Sequence, residues 1–235
     1  MAEYLPLLSG YDPSLDTRPL VASRQSLGLL GPPHPLLSSL SFHFLCTMAR
    51  QGHRAVMICR RSSVEKELPR PVYTLEEEEA GQAGAAFDND VLDRVEMKYL
   101  ESLDEVVWYM RNIHRFAEAQ IPTCITIDTL DSFICADSDH LVAMGRVLSE
   151  IDDARRYIMK KLGQACHVMV SVAVTEGPLV RIMKYSMGRV LKMAVSKTGE
   201  NEGMVMVKEV TGGQGATFKY AVRGDDSSYL VLLPS

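Results

Sequence analysis

Between residues 27 and 174 the chain alternates short apolar stretches with segments of helical period, an order that few folds accommodate. The apolar stretches are 27–30 (LGLL), 54–59 (RAVMIC), 95–100, 123–127 and 165–174 (ACHVMVSVAV). Between them, the segment 38–50 turns Leu37, Leu40 and Phe44 to one side, and 103–117 does the same with Leu103, Val106, Val107, Met110 and Ala117. The longest helical pattern covers 139–162, with Leu141, Met144, Leu148, Ile151, Ile158 and Leu162 in register. Strands as apolar as RAVMIC are buried on both faces, which requires helices on both sides of a sheet. After 174 the character changes: 190–195, 204–210, 217–222 and 228–233 are short strands joined by glycine-bearing turns. The expected class is α/β, a mostly parallel central sheet with helices on both faces and a C-terminal antiparallel hairpin extension.

One domain over 27–235 accounts for this pattern, with no linker or internal repeat inside it. Residues 1–26 carry Pro6, Pro13 and Pro19 with little periodicity and read as an irregular leader or a docking tail. The stretch 62–90 interrupts the alternation with Pro69, Pro71, the acidic run 76–79 and small residues at 80–86. It reads either as a solvated loop or as an acidic arm that meets a basic partner.

Composition narrows the function classes. The net charge of −5 leaves no global basic field, so any nucleic-acid contact has to come from a local patch. Cys46, Cys59, Cys124, Cys135 and Cys166 are scattered, odd in number and without a CxxC pair, which favours buried reduced thiols over a disulfide framework. No signal-peptide pattern and no apolar run near 18 residues occurs, so a soluble intracellular protein with no membrane contact is expected. His34, His43, His53, His114, His140 and His167 never approach a metal-ligand spacing, so structural roles are expected and no metal site. The sequence holds no G-x-S-x-G nucleophile elbow. Trp108 lies within the helical segment at 103–117 and is either core or, if exposed, an interface residue.

Residues 31–38 (GPPHPLLS) stand between the first strand and the first helix, the place of a phosphate-binding loop. Such a loop needs G-x-x-x-x-G-K-[S/T]. Gly31 and Ser38 keep their positions, while Leu36 replaces the second glycine and Leu37 replaces the lysine. The first change removes the close backbone approach to phosphate, and the second removes the cation that offsets its charge. Downstream, CITID (124–128) has the form of a Walker B strand, with Asp128 at its carboxyl end where an acidic group can orient Mg²⁺. Asp131 follows within one helical turn and is either a second carboxylate at that edge or a cap for the next segment.

The order GPPHPLLS, RAVMIC, VEMKYLES, CITIDTLDSFI, long helix, ACHVMVSVAV and C-terminal hairpins resembles the RecA-type recombinases and their paralogues over about residues 27–233. Within that family it most resembles the small accessory paralogues, of the Shu-complex and nematode-partner kind. The resemblance implies a RecA-like core and a catalytic glutamate after the second core strand, where 59–62 (CRRS) offers no carboxylate. With glutamate, lysine and second glycine all missing, no hydrolysis is expected.

What the resemblance further implies is a mediator of homologous recombination and DNA repair, nuclear and active in meiosis. Its partners would be a second paralogue in a heterodimer, the strand-exchange recombinase and single-stranded DNA. No cofactor is implied, with ATP and Mg²⁺ entering only if a partner supplies the missing groups. Leu36 and Leu37 are then expected as apolar contact surface, and the edge near Asp128 and Asp131 as the partner interface. The family's second DNA-binding loop would begin near Thr175, where Arg181, Lys184, Arg189, Lys192 and Lys197 occur against one glutamate. That excess either tracks a phosphate backbone or is an ordinary solvated face, and Tyr185 either stacks on a base or packs. Two other readings remain: a divergent ATPase whose phosphate cation is Arg60 or a partner arginine, and an unrelated α/β interaction module.

Overall fold

The computed structural model describes residues 26–66, 68–69, 72–74, 89–134, 139–197, 203–211, 217–223 and 229–233. Five strands form the parallel centre: β1 (Ser26–Leu30), β2 (Ala55–Cys59), β4 (Val95–Tyr99), β5 (Cys124–Ile127) and β6 (His167–Val172). Every residue of β2 and β5 is buried, as expected of strands covered on both faces. A second group follows, β7 (Arg189–Lys197), β8 (Gly203–Glu209), β9 (Thr217–Arg223) and β10 (Tyr229–Leu233). β7 lies parallel to β1, and β7 to β10 then continue as an antiparallel meander, so the expected C-terminal extension is present. The whole is one sheet of order β3-β10-β9-β8-β7-β1-β6-β5-β2-β4.

β3 (Val72–Thr74) falls inside the stretch expected to be a loop and pairs parallel with β10, which corrects that expectation. Its register is tertiary, since the partner strand lies more than 150 residues away in sequence and no local pattern announces it. The same stretch also contributes short helices α2 (Arg61–Lys66) and α3 (Asn89–Leu92). The acidic run 76–79, the leader through residue 25 and Cys135 lie outside the described residues.

Helices cover both faces. α1 (Pro35–Arg50) packs Leu36, Leu37, Leu40, Phe44 and Leu45 against Leu27, Leu29, Met57 and Met169 on one side. On the other side lie α4 (Leu103–Asn112), α5 (His140–Leu162) and α6 (Pro178–Ser186), joined to Ile58, Ile127, Val170 and Val190. Local chemistry sets their limits. Asp139 caps α5 by accepting from the Leu141 and Val142 amides, and Gly163 ends it at φ 65°. α4 stops at Asn112 rather than reaching Ala117, tightening into a 3-10 turn at Ile113–Arg115 before Phe116 turns extended. A Cβ at Gly28 would come within 2.9 Å of Met183 Cε and 3.3 Å of Val190 Cγ2, so its absence gives these side chains room against β1.

Among the described residues no helix is long and apolar enough to cross a membrane. Cys46, Cys59, Cys124 and Cys166 are free and buried. Burial pushes the thiols of Cys46, Cys59 and Cys166 up to about 12, which leaves them unreactive core residues.

Candidate functional site

The loop at 31–38 lies at the carboxyl ends of the central strands, where ligands of open α/β sheets bind. A phosphate cradle there is built from backbone amides pointing into the loop. Pro32, Pro33 and Pro35 have none to offer. The Gly31 amide donates to Val172 O, and the Leu37 amide donates to His34 O. The Leu36 amide donates to Nδ1 of His34, which serves as the N-cap of α1. Proline at the first helical position supplies a preset φ and gives up a donor that a phosphate would have used.

The two leucines point inward. Leu36 is 1% and Leu37 is 0% exposed. Both belong to the core on the α1 side, and Leu37 Cδ1 and Met193 Cε close over Gly31. This corrects the expectation that they form contact surface: at the start of α1 their positions fall on the stripe that faces the sheet.

The carboxylate that follows β5 is tied both to the start of α1 and to β6. Ser38 Oγ donates to Asp128 Oδ2 at 2.6 Å, and Ser171 Oγ donates to Asp128 Oδ1 at 2.9 Å. Ser171 Oγ also accepts from the amide of Thr129 at 2.8 Å, holding that residue in the left-handed region at φ 47°, ψ 58°. A β-branched residue in that region is strained, and the hydroxyl on β6 fixes it in place. Asp131 Oδ1 accepts from the Ala173 amide at 2.7 Å and so ties the 3-10 turn at Leu130–Phe133 to the end of β6. Burial raises the Asp128 carboxyl above its ordinary value, against the opposing pull of the Ser38 and Ser171 hydroxyls.

Asp128 is 1% exposed, so it offers no surface to a partner. This corrects its expected place in the interface: at the end of a central strand, α1 and β6 enclose it. Asp131 is half-buried with one oxygen committed to the backbone. Arg60 stands directly after β2. Its guanidinium donates to Ser132 O at 2.9 Å and lies 3.6 Å from Glu101, so it braces the turn instead of facing the loop.

The cations expected in a DNA-binding loop separate onto two elements. Arg181 and Lys184 are exposed on α6, beside Tyr185, which is 95% exposed. Arg189 begins β7 and grips Glu209 through two bonds of 3.1 and 2.8 Å. Lys192 lies half-buried on β7, and Lys197 ends that strand with its side chain outside the described residues. Trp108 is 62% exposed on the outer side of α4, which corrects the reading of it as core: it follows the buried Val107 and falls off the stripe that faces the sheet. Among the described residues no group of three His, Cys, Asp or Glu side chains is arranged to hold a metal.

Sequence reasoning missed Ser171, Thr129 and His34. Only Ser171 carried a signal, a hydroxyl interrupting an otherwise apolar strand.

No protein-family model matches the chain. No curated protein matches it either. Among solved structures it is similar to the KaiC-like protein PH0186 from the hyperthermophilic archaeon Pyrococcus horikoshii OT3, with a TM-score of 0.55 at 13% identity, covering 89% of each chain. Strand order, helices on both faces and the C-terminal antiparallel extension agree with that likeness: the chain has a RecA-like α/β fold.

Proposed function

We propose that this chain is a non-catalytic RecA-fold subunit that pairs with a second recombinase paralogue and stabilises or remodels recombinase filaments on single-stranded DNA. The fold relates it to P-loop ATPases, but phosphoryl transfer depends on positioned charge and donors. The observation that carries the non-catalytic reading is the state of residues 31–37. Three prolines lack an amide, three further amides are engaged internally, and Leu37 lies in the core where a lysine would reach phosphate. A face relieved of turnover remains available for association. The recombination reading is supported by the element order described above, and Arg181, Lys184 and Tyr185 on α6 offer cations and a ring suited to a single strand. Trp108 suits a partner contact, since exposed tryptophans are common anchors of interfaces.

The test is affinity purification of the tagged chain from nuclei. A recombinase paralogue and the recombinase should co-purify, and the complex should bind labelled oligothymidine. Arg181→Glu with Lys184→Glu should weaken that binding, and Trp108→Ala should weaken pairing. Recovery of neither protein would sink the proposal.

A second reading, a divergent ATPase, is favoured by one feature, the intact bond from Ser38 to Asp128. Nucleotide turnover by the purified heterodimer, lost in Ser38→Ala, would establish it. Absence of both binding and turnover would remove it.

A further inference from the structure

The seam between α4 and α5 carries a protruding ring and an open hollow on one strip of surface. Contacts across the seam rise together along both segments. Asp104 lies 3.7 Å from Arg146, Arg111 is paired with Glu150, the rings of His114 and Tyr157 stand 6.3 Å apart, and Glu118 lies 4.0 Å from Lys161. The two helices therefore run side by side in the same direction. Trp108 stands one turn after Asp104 and one turn before Arg111, so both are its neighbours on the surface of α4. Its side chain is exposed, and among the described residues no ring lies against the indole.

The hollow opens on the other side of Arg111. There α4 ends at Asn112 and tightens into its 3-10 turn, while α5 continues to Leu162. α5 is left uncovered where Ala154 presents a single methyl. The result is a hollow of about 480 Å³, with the buried Met110, Ile113 and Ala154 beneath and the rings of His114 and Tyr157 at its side. That volume lies within the range of sites that enclose drug-sized ligands, so an indole fits in it. The two ion pairs beside Trp108 cancel in charge, so this part of the strip presents no net field to a like surface.

We infer that this strip pairs with the same strip of a second copy of the chain, Trp108 of each entering the hollow of the other. The spacing of ring and hollow selects a second copy as the occupant. A half-turn beside Arg111 reverses the helices of the copy and lays ring on hollow and hollow on ring at once, the reciprocity that an isologous contact requires. A second copy has both features at the matching separation by construction, whereas a different protein would have to supply both. Near the axis, Arg111 approaches its counterpart already neutralised by Glu150. Tryptophans that fill pockets are frequent anchors of interfaces. The strip is two helices wide and about 15 Å long over α4, small beside a standard interface, so the dimer is weak and reversible. This inference concerns the chain alone and does not rest on the recombination reading; a paralogue that uses Trp108 has to displace the copy.

The chain has a single tryptophan, so its fluorescence reports on Trp108 alone. Sedimentation equilibrium and tryptophan emission of the full chain, from about 1 μM to about 1 mM, test the inference. The mass should rise from one chain toward two, and the emission should shift to the blue over the same concentrations as the indole leaves water. Trp108→Ala, at an exposed position, and Ala154→Leu, which fills the hollow, should each weaken association at least tenfold. A one-to-one mixture of these variants should associate more tightly than either alone, because one intact ring then meets one intact hollow. Circular dichroism checks that both are folded, and Trp108→Ala decides the matter by itself if Ala154→Leu is not. The inference is overturned by a chain that stays single at every concentration, by a dimer that Trp108→Ala leaves unchanged, or by a dimer whose emission does not move. A mixture no tighter than its components would overturn the half-turn. A chain that stays single but captures another protein through Trp108 would assign the strip to that protein and overturn the second copy.

Discussion

The Ser38 hydroxyl donates to a carboxylate oxygen of Asp128 across 2.6 Å, joining two residues 90 positions apart in sequence. It fastens the start of α1 to the end of β5 at the point where a nucleotide-binding fold would hold its metal and phosphates. Around it the loop at 31–38 is made largely of prolines and of leucines that lie in the core, so the bond ties two buried elements together.

Asp128 sets a pH dependence. Its folded carboxyl holds its proton at higher pH than the unfolded one, because burial disfavours the charge. The native state then binds more protons than the unfolded chain between the two values, and stability falls as pH rises through that window. Against Asp128→Asn, which cannot ionise, the wild-type chain should gain stability as pH is lowered from 7 toward 4. Denaturant titrations of both proteins at each pH measure the gap, and a gap moving the other way would refute the assignment. Ser171→Ala, which strips a donor from Asp128 and an acceptor from Thr129, should cost about 1–3 kcal/mol.

Installing the phosphate-loop consensus should not create nucleotide binding. Leu37→Lys places an ammonium at a position with no exposure, so destabilisation of several kcal/mol is expected from burying an unpaired charge. The double variant Leu36→Gly with Leu37→Lys should still bind no fluorescent ATP analogue, since Pro32, Pro33 and Pro35 provide no amide to the loop. Nucleotide binding by a folded double variant, confirmed by circular dichroism, would show that the loop can reopen.

His167 should make the chain acid-sensitive. Burial, with the ring of His53 at 4.9 Å, pushes its pKa down to about 4. A histidine held neutral in the native state contributes stability above its unfolded pKa and loses it as pH falls from about 6.5 toward 4. The loss amounts to about 2–3 kcal/mol at most. His167→Gln should flatten the fall in stability between pH 7 and 4, and an unchanged slope would place the sensitivity elsewhere.

Arg189 and the α6 cations should behave differently. Arg189→Ala leaves Glu209 without its two bonds and should cost about 1.5–3 kcal/mol in urea unfolding. Arg181→Ala and Lys184→Ala, both on exposed positions, should change stability by less than about 0.5 kcal/mol. Equal effects in all three would mean that the ion pair contributes nothing.

The sequence carries the alternation of buried strands and one-sided helices, because RAVMIC, CITI and HVMVSV are too apolar to leave either face to solvent and the helical segments bury a single stripe. It also determined the hairpin extension, through period-two strands and glycine-bearing turns, and the loss of phosphate donors, because proline lacks an amide wherever it stands. The tertiary structure decided which way particular side chains turned. Leu36 and Leu37 look alike as surface or core until α1 is laid on the sheet, and Asp128 looks available until Ser38 and Ser171 reach it from other elements. Trp108 points outward beside the buried Val107, since a single residue step turns a helical side chain by about 100° and carries it off the core-facing stripe. The pairing of β3 with β10 depends on register between distant strands. Local patterns fix what each segment can be; long-range packing alone fixes what it touches.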